Sequence, residues 1–286
     1  MSQYIVVSGD TLISIAATQC SGSLTWQQIA VDNQLANPDV IQVGQVLTLN
    51  CVGTAPIPAP NVLHWGVDSA GRASSLFDTI AQADGAPQFW GRYIGGSFAL
   101  TSQEANFVFT HSHGTCRILV IYNGAKPSIV ATSFAAGVQD ATNAINAAKA
   151  LGVPTNQGIV IYADIEASWK PSAAWILGWW STMKASVYGN EGGFYCNPGG
   201  NFSNGLCAAI NDPSNRDSHG QPLYRPVLYS SEPENVPCSF DRSFFRPGFP
   251  LCCTADSVRI WQYHETCGSV DMDLATEVGY ATMWHS

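Results

Sequence analysis

Charge is scarce in this 286-residue chain, and basic charge scarcest: 12 Lys and Arg face 21 Asp and Glu, a net charge of −9. Without a basic face nothing neutralises phosphates, which excludes nucleic acid as a partner. The same balance disfavours attraction to anionic membranes. No run of about twenty apolar residues occurs, so no segment is expected to span a bilayer. Met1-Ser-Gln-Tyr4 lacks the basic start and apolar core of an export signal and is read as a mature or engineered start. Close CxxC or CxxxH spacings are missing too, since the nine cysteines comprise the adjacent Cys252-Cys253 and scattered singles. That points away from zinc. His111-x-His113 finds no partners to complete a metal set, and a helix C-terminus favours histidine anyway. There is no phosphate-cradling glycine loop and no Gly-x-Ser-x-Gly elbow. No metal and no cofactor is expected.

What is present describes a folded, exported protein. Hydrophobic residues make up 46% of the chain and charged ones 12%, which is globular rather than disordered. Nine cysteines beside four lysines suggest disulfides and an oxidising, extracellular compartment. The odd count leaves at least one thiol unpaired or bonded between chains. The proline-rich, uncharged stretch 52–61 is an extended spacer. It divides the chain into residues 1–51, the linker 52–61 and residues 62–286.

The first part reads strand, helix, helix, strand. Tyr4-Ile-Val-Val7 is a short β-run, Asp10 can cap a helix beginning at Thr11, and Leu12, Ile15 and Ala16 recur at helical spacing. A second helix carries Trp26, Ile29 and Ala30 on one side, and 43–49 closes the unit as a strand. Some fifty residues bury little core, so a staple is expected, with Cys20 and Cys51 the natural pair. Tyr4-x-Val-x-Ser-Gly-Asp-Thr-Leu12, Ile15-Ala16, Asn33, Pro38-Asp39-x-Ile41 and Gly44-Gln45 together resemble a LysM module along its whole length. The resemblance implies binding of N-acetylglucosamine-containing glycans such as chitin or peptidoglycan. The groove would lie between Gly9, Asp10, Thr11 and Leu12 on one side and Asn37, Pro38, Asp39 and Ile41 on the other.

The second part alternates strands with helices. Strands are predicted at 65–68, 89–93, 117–122, 158–166, 193–195, 226–229, 257–262 and 270–274. Helical patterns lie near 74–84, 101–112, 134–151 and 171–187, with Pro171 in the first turn of the last. This alternation predicts an α/β fold, a modified (β/α) barrel of the TIM type beside the small N-terminal βααβ module. The Pro-, Asn-, Ser- and Cys-rich stretch 196–256 reads as long, disulfide-tied loops.

Four acids stand at predicted strand ends: Asp68, Asp164, Glu166 and Asp271. Asp164 and Glu166 are two apart on one strand and so share a face. In a parallel barrel the C-terminal strand ends converge on one mouth, where crowding makes some carboxyls reluctant to ionise. A pair in unlike environments is what acid-catalysed glycosidic cleavage requires. Gly66-Val-Asp68, Tyr162-x-Asp164-x-Glu166, and Trp261-Gln-Tyr263 followed by Val270-Asp271 resemble the glycoside hydrolase family 25 lysozymes. Gly91-Arg-Tyr-Ile94 with Leu100-Thr-x-x-Glu104 is closer to a related branch of glycoside-hydrolase-like barrels. The resemblance implies Glu166 as general acid, Asp164 as the group that stabilises positive charge, orients an N-acetyl group or prepares water, and Asp68 and Asp271 as cleft residues. The chain departs from the lysozyme pattern at Asp271-Met-Asp273, where the last residue is more usually asparagine.

Trp65, Tyr93, Tyr122, Tyr162, Tyr229, Trp261 and Tyr263 fall near strand ends, where flat rings can stack on sugars. Trp261 and Tyr263 are expected to face the cleft, whereas Trp175, Trp179 and Trp180 on a helix are expected in the core. These features describe a secreted, monomeric glycoside hydrolase held on peptidoglycan or a chitin-type glycan, with a muramidase first and a chitinase second. The alternative is a non-catalytic glycan-binding protein on a degenerate hydrolase barrel. A structural wall protein would leave the acids unexplained.

Overall fold

The computed structural model describes residues 2–7, 9–19, 26–33, 35, 37, 40–49, 62–231 and 236–286. The chain forms two compact units, Met1–Pro60 and Asn61–Ser286. Cys20, Pro38, Asp39, Cys51 and the 52–61 spacer lie outside the described residues.

In the first unit β1 (Ser2–Ile5), α1 (Leu12–Gln19), α2 (Trp26–Asp32) and β2 (Val46–Leu49) follow in chain order. The strands pair antiparallel, Ser2 opposite Leu49 and Ile5 opposite Val46. Leu12, Ile15, Ala16, Ile29, Ala30, Leu47 and Leu49 meet in a small core. The cap at α1 differs from the sequence expectation. Thr11 Oγ1 accepts from Ser14 N at 3.0 Å while Ser14 Oγ accepts from Thr11 N at 2.9 Å. Asp10 instead locks the preceding turn, accepting from Val7 N at 2.7 Å and the Tyr4 hydroxyl at 2.9 Å. An aspartate one residue too early serves the turn and leaves the helix to the next hydroxyl. Asn33 joins α2 to β2: its Nδ2 donates to Ile29 O and Thr48 O, and its Oδ1 accepts from Thr48 N.

The second unit runs β3 (Leu63–Asp68), α3 (Ala73–Asp84), β4 (Phe89–Ile94), α4 (Ser102–His111), β5 (Arg117–Tyr122), α5 (Pro127–Val130) and α6 (Phe134–Leu151). It continues β6 (Ile161–Ile165), α7 (Ala173–Lys184), β7 (Gly193–Cys196), α8 (Asn201–Asn211), β8 (Leu228–Ser231), β9 (Val258–Cys267), β10 (Val270–Thr276) and α9 (Glu277–Ala281). The strands close a barrel in the order β10-β3-β4-β5-β6-β7-β8-β9. From β3 to β9 neighbours are parallel, but β10 is antiparallel to both β9 and β3. This modifies an all-parallel barrel. A hairpin too short for a crossover helix, closed by Gly268 at φ 73°, forces the last strand to reverse.

Strand alternation divides the apolar residues into two layers. Phe89, Leu119, Ile121, Tyr162, Tyr229, Ile260 and Ala275 fill the inside. Trp90, Val120, Ala163, Phe194 and Leu274 belong to the outer layer, with the helices. Trp175, Trp179 and Trp180 on α7 are fully buried there. Helix α7 starts at Ala173 rather than Pro171, because the Ser172 hydroxyl accepts from Trp175 N at 3.0 Å and sets the cap. Stretch 196–256 holds α8, which its composition hid, and disulfides join Cys207 to Cys252 and Cys238 to Cys267. Cys116 and Cys253 are buried free thiols. Among the described residues no helix is long and apolar enough to cross a membrane.

Candidate active site

The inward positions of the upper barrel are polar where the lower ones are apolar. Asp68 ends β3 and is 2% exposed, and Asp273 on β10 is wholly buried. Asp164 on β6 is half-buried, while Glu166, just past the strand, is exposed at the rim. Asp271 faces Asp68 directly across the β10–β3 ladder, and Asp273 faces Gly66. Asp271 is at the mouth for a reason the sequence expectation did not contain. It sits at the start of its strand, and the strand's reversal brings that start to the end where the parallel strands finish. Asp271 Oδ1 accepts from Thr266 N at 2.6 Å, so it also fixes the β9–β10 turn.

One phenol registers the convergence. The Tyr93 hydroxyl, partly buried on β4, is pushed up by burial and then by the charges of Asp68, Asp164, Asp271 and Glu166. Asp68 is raised to about 7, first by burial and then by Asp271. The Tyr229 and Gln262 hydrogen bonds pull it back. Asp164 is also raised to about 7, by burial, then by Glu166 and Asp68. Burial leads again for Asp271, and burial with Asp68 holds Asp273 well above the usual carboxylate range.

Beneath the rim lies a connected network. The Tyr229 hydroxyl stands 2.6 Å from Asp68 Oδ2 and 2.8 Å from Asp273 Oδ1. Gln262 Nε2 donates to Asp68 Oδ2 at 2.9 Å, and Gln262 Oε1 accepts from the Tyr195 hydroxyl at 2.9 Å. Asp68 owes its space to Gly91, where a Cβ would lie 2.4 Å from Asp68 Cβ. The loop after Asp68 is held from behind. The buried Arg92 donates Nη1 to Ser69 O and Nε to Glu104 Oε1 at 2.8 Å, and Glu104 Oε1 also accepts from Ala73 N at 2.8 Å.

The aromatic expectations divide along strand alternation. Tyr93 and Tyr229 face inward at the mouth, and Tyr162 lies in the inner layer with its ring edge toward Tyr229 at 6.1 Å. Trp65, Tyr122, Trp261 and Tyr263 belong to the outer layer. Trp261 and Tyr263 therefore do not face the cleft as expected: they pack on Phe240, and Arg242 stacks over Trp65 at 3.7 Å. The inward residue of that strand is Gln262, between them. Tyr195, Gln262, Glu265 and Asp273 were missing from the sequence-derived set. Gln262 was legible as the polar position flanked by two large rings. Glu265, exposed near the end of β9 and raised by burial, Asp271 and Glu166, had no such signal.

His111 pairs with Asp78 at 2.7 Å at the end of α4. Cys238, His264 and Cys267 come together, but their two sulfurs are spent on a disulfide. In the first unit Gly9 (φ 93°), Thr11 and Asn37 are exposed and Asp10 is half-buried. Leu12 is in the core with Ile41 packed against it, so of these two side chains only Ile41 reaches the surface.

Residues 4–50 match the LysM domain, and residues 82–237 match the Rv2525c-like, glycoside hydrolase-like domain. An uncharacterized B. stearothermophilus protein of known structure is 29% identical, with TM-score 0.64, covering 77% of this chain and 100% of its own. The Tat-secreted protein Rv2525c of Mycobacterium tuberculosis, solved with L-tartrate, is 20% identical over 74% of this chain and 94% of its own, with TM-score 0.46. A family 25 glycosyl hydrolase from Bacillus anthracis is 10% identical over 76% and 92%, with TM-score 0.45. No curated protein matches the chain.

Proposed function

We propose that this chain, which belongs to the Rv2525c-like, glycoside hydrolase-like domain family and carries a LysM domain ahead of it, is a secreted hydrolase of cell-wall N-acetylated glycan. Peptidoglycan is the first substrate and chitin the second. Residues 1–51 hold the glycan, 52–61 tether, and 62–286 cut; tethering raises local substrate concentration at the barrel. The observation that carries this reading is the pairing of exposed Glu166 with half-buried Asp164, raised to about 7.

In this reading Glu166 is the carboxyl that reaches the glycosidic oxygen. Asp164 sits behind it with a proton affinity near neutrality, where proton exchange in either direction is cheapest. Asp68 and Asp271 supply the negative field that favours a developing oxocarbenium charge. Tyr93 stands among all four acids and can contact a sugar ring from within. The Cys207–Cys252 and Cys238–Cys267 disulfides accord with an extracellular location.

The test is product analysis after incubation with purified peptidoglycan and, separately, chitin, beside Glu166→Gln. New reducing ends absent from the variant support hydrolysis and the role of Glu166. Binding without products from either glycan would make the barrel a recognition domain.

A further inference from the structure

A tyrosine hydroxyl has one hydrogen, and Tyr229 stands between two carboxylate oxygens that both need one. Its Oη lies 2.6 Å from Asp68 Oδ2 and 2.8 Å from Asp273 Oδ1, and all three residues are buried. Both contacts are hydrogen bonds in length, so one of the carboxyls must bring its own proton. Which one follows from counting donors. Asp68 Oδ2 also accepts from Gln262 Nε2 at 2.9 Å, and Tyr195 holds that amide by its Oε1. An ionised Asp68 therefore has two donors. An ionised Asp273 would have Tyr229 alone, because its Oδ2 is buried without a partner. A buried charge with one donor is far costlier than a buried neutral acid with an idle carbonyl oxygen.

We infer that Asp273 is a neutral carboxylic acid whose Oδ1–H donates to Tyr229, turning the tyrosine proton onto Asp68 and fixing Asp68 as the accepting carboxylate. Asp273 and Tyr229 are thus positioning residues: they act through Asp68 on Asp164, which feels the Asp68 charge. The groups facing this network are Tyr93 on β4, Asp164 and Glu166 on β6, Tyr195 on β7, His264 and Glu265 on β9, and Asp271 on β10. From the outer layer Tyr263 also feels the Asp273 charge and holds Arg242, but neither Arg242 nor any other cation is among the groups that act on Asp273. The consequence for catalysis rests on the hydrolase reading above; the proton on Asp273 does not.

The experiment is infrared difference spectroscopy of the full chain at about pH 8, where ordinary carboxyls are ionised. Wild type is expected to show the carbonyl stretch of a protonated carboxylic acid, reduced in Asp273→Asn to the minor fraction that Asp68 and Asp164 hold at this pH, and retained in Asp164→Asn. Asparagine keeps an N–H donor toward Tyr229, so Asp273→Asn should fold and leave the Asp164 titration unmoved. Tyr229→Phe should lower the apparent Asp164 pKa, since Asp68 without its hydroxyl donor holds its charge less well. No acid band in wild type, a band undiminished in Asp273→Asn, or an Asp273→Asn chain that does not fold would each overturn the inference. Absence of glycan cleavage would leave the band in place and count only against the hydrolase reading.

Discussion

Asp271 stands directly opposite Asp68 on neighbouring antiparallel strands, so the first and last strands of the barrel place two carboxyls on one inner face. Their mutual repulsion is the second cause, after burial, of the raised Asp68 pKa. Asp271→Asn keeps an acceptor for Thr266 N while removing the charge. The expected result is a fall of the Asp68 pKa from about 7, read by carboxyl NMR titration. An unmoved titration would mean that burial alone raises Asp68.

Stability should carry the same signature through Asp164. Its folded pKa of about 7 lies above the value near 3.9 of an unfolded aspartate. Below the unfolded value both states bind the proton and no penalty exists. As pH rises toward 7 the unfolded chain releases it first, and stability is lost through that window. Asp164→Asn removes the penalty and should stabilise the protein by up to about 4 kcal/mol at neutral pH, about 1.4 kcal/mol for each of the roughly three pH units between the two values, with no gain below about pH 4. Denaturant unfolding at the two pH values checks this; an equal gain at both would point to packing instead.

These two acids also mark how far the sequence was legible. Local patterning gave the barrel, because apolar strand runs and helical stripes are short-range signals that survive folding unchanged. It gave Asp68, Asp164 and Glu166, since a strand's C-terminal end is readable from where its apolar run stops. It did not give the reversal of β10, which depends on a hairpin too short for a helix. Nor did it give the facing of Trp261 and Tyr263. A strand with rings at alternate positions has two possible phases, and the barrel buries the rings outward and Gln262 inward. Asp273 stood out only as a departure from the lysozyme pattern; its partner Tyr229 is 44 residues away in the chain.

The loop that follows Asp68 depends on a residue outside the cleft. Arg92 is buried with Glu104, and together they bind Ser69 O and Ala73 N. Arg92→Ala leaves Glu104 buried and uncompensated, so a loss of roughly 3–5 kcal/mol is expected in denaturant unfolding. A loss under about 1 kcal/mol, the range of an exposed pair, would show that water replaces the guanidinium.

Gly91 presses the same point from inside the barrel. A methyl group there meets Asp68 Cβ at 2.4 Å and Asp68 Cα at 3.3 Å, the root of a residue that cannot swing away, while the Ile121 Cδ1 tip at 3.2 Å has only to shift slightly. Gly91→Ala should cost about 1–3 kcal/mol by overpacking. It should also disturb the Asp68 titration, which a purely distant strain would leave alone.

The pH dependence of glycan cleavage is the prediction that joins electrostatics to function. Where Asp164 must hold a proton for the pair with Glu166 to turn over, kcat should fall as pH rises through about 7, its folded value. Asp271→Asn lowers the repulsion on Asp68, which then ionises more fully at a given pH. The added negative charge raises Asp164, and the alkaline limb of the profile should move to higher pH. Substitution of Asp68 by Asn removes that charge and should move the limb the opposite way. The two shifts of opposite sign are the measurement, taken from initial rates across pH. Limbs that stay fixed in both variants would separate Asp164 from the rate-controlling ionisation, whatever Glu166 does at the rim.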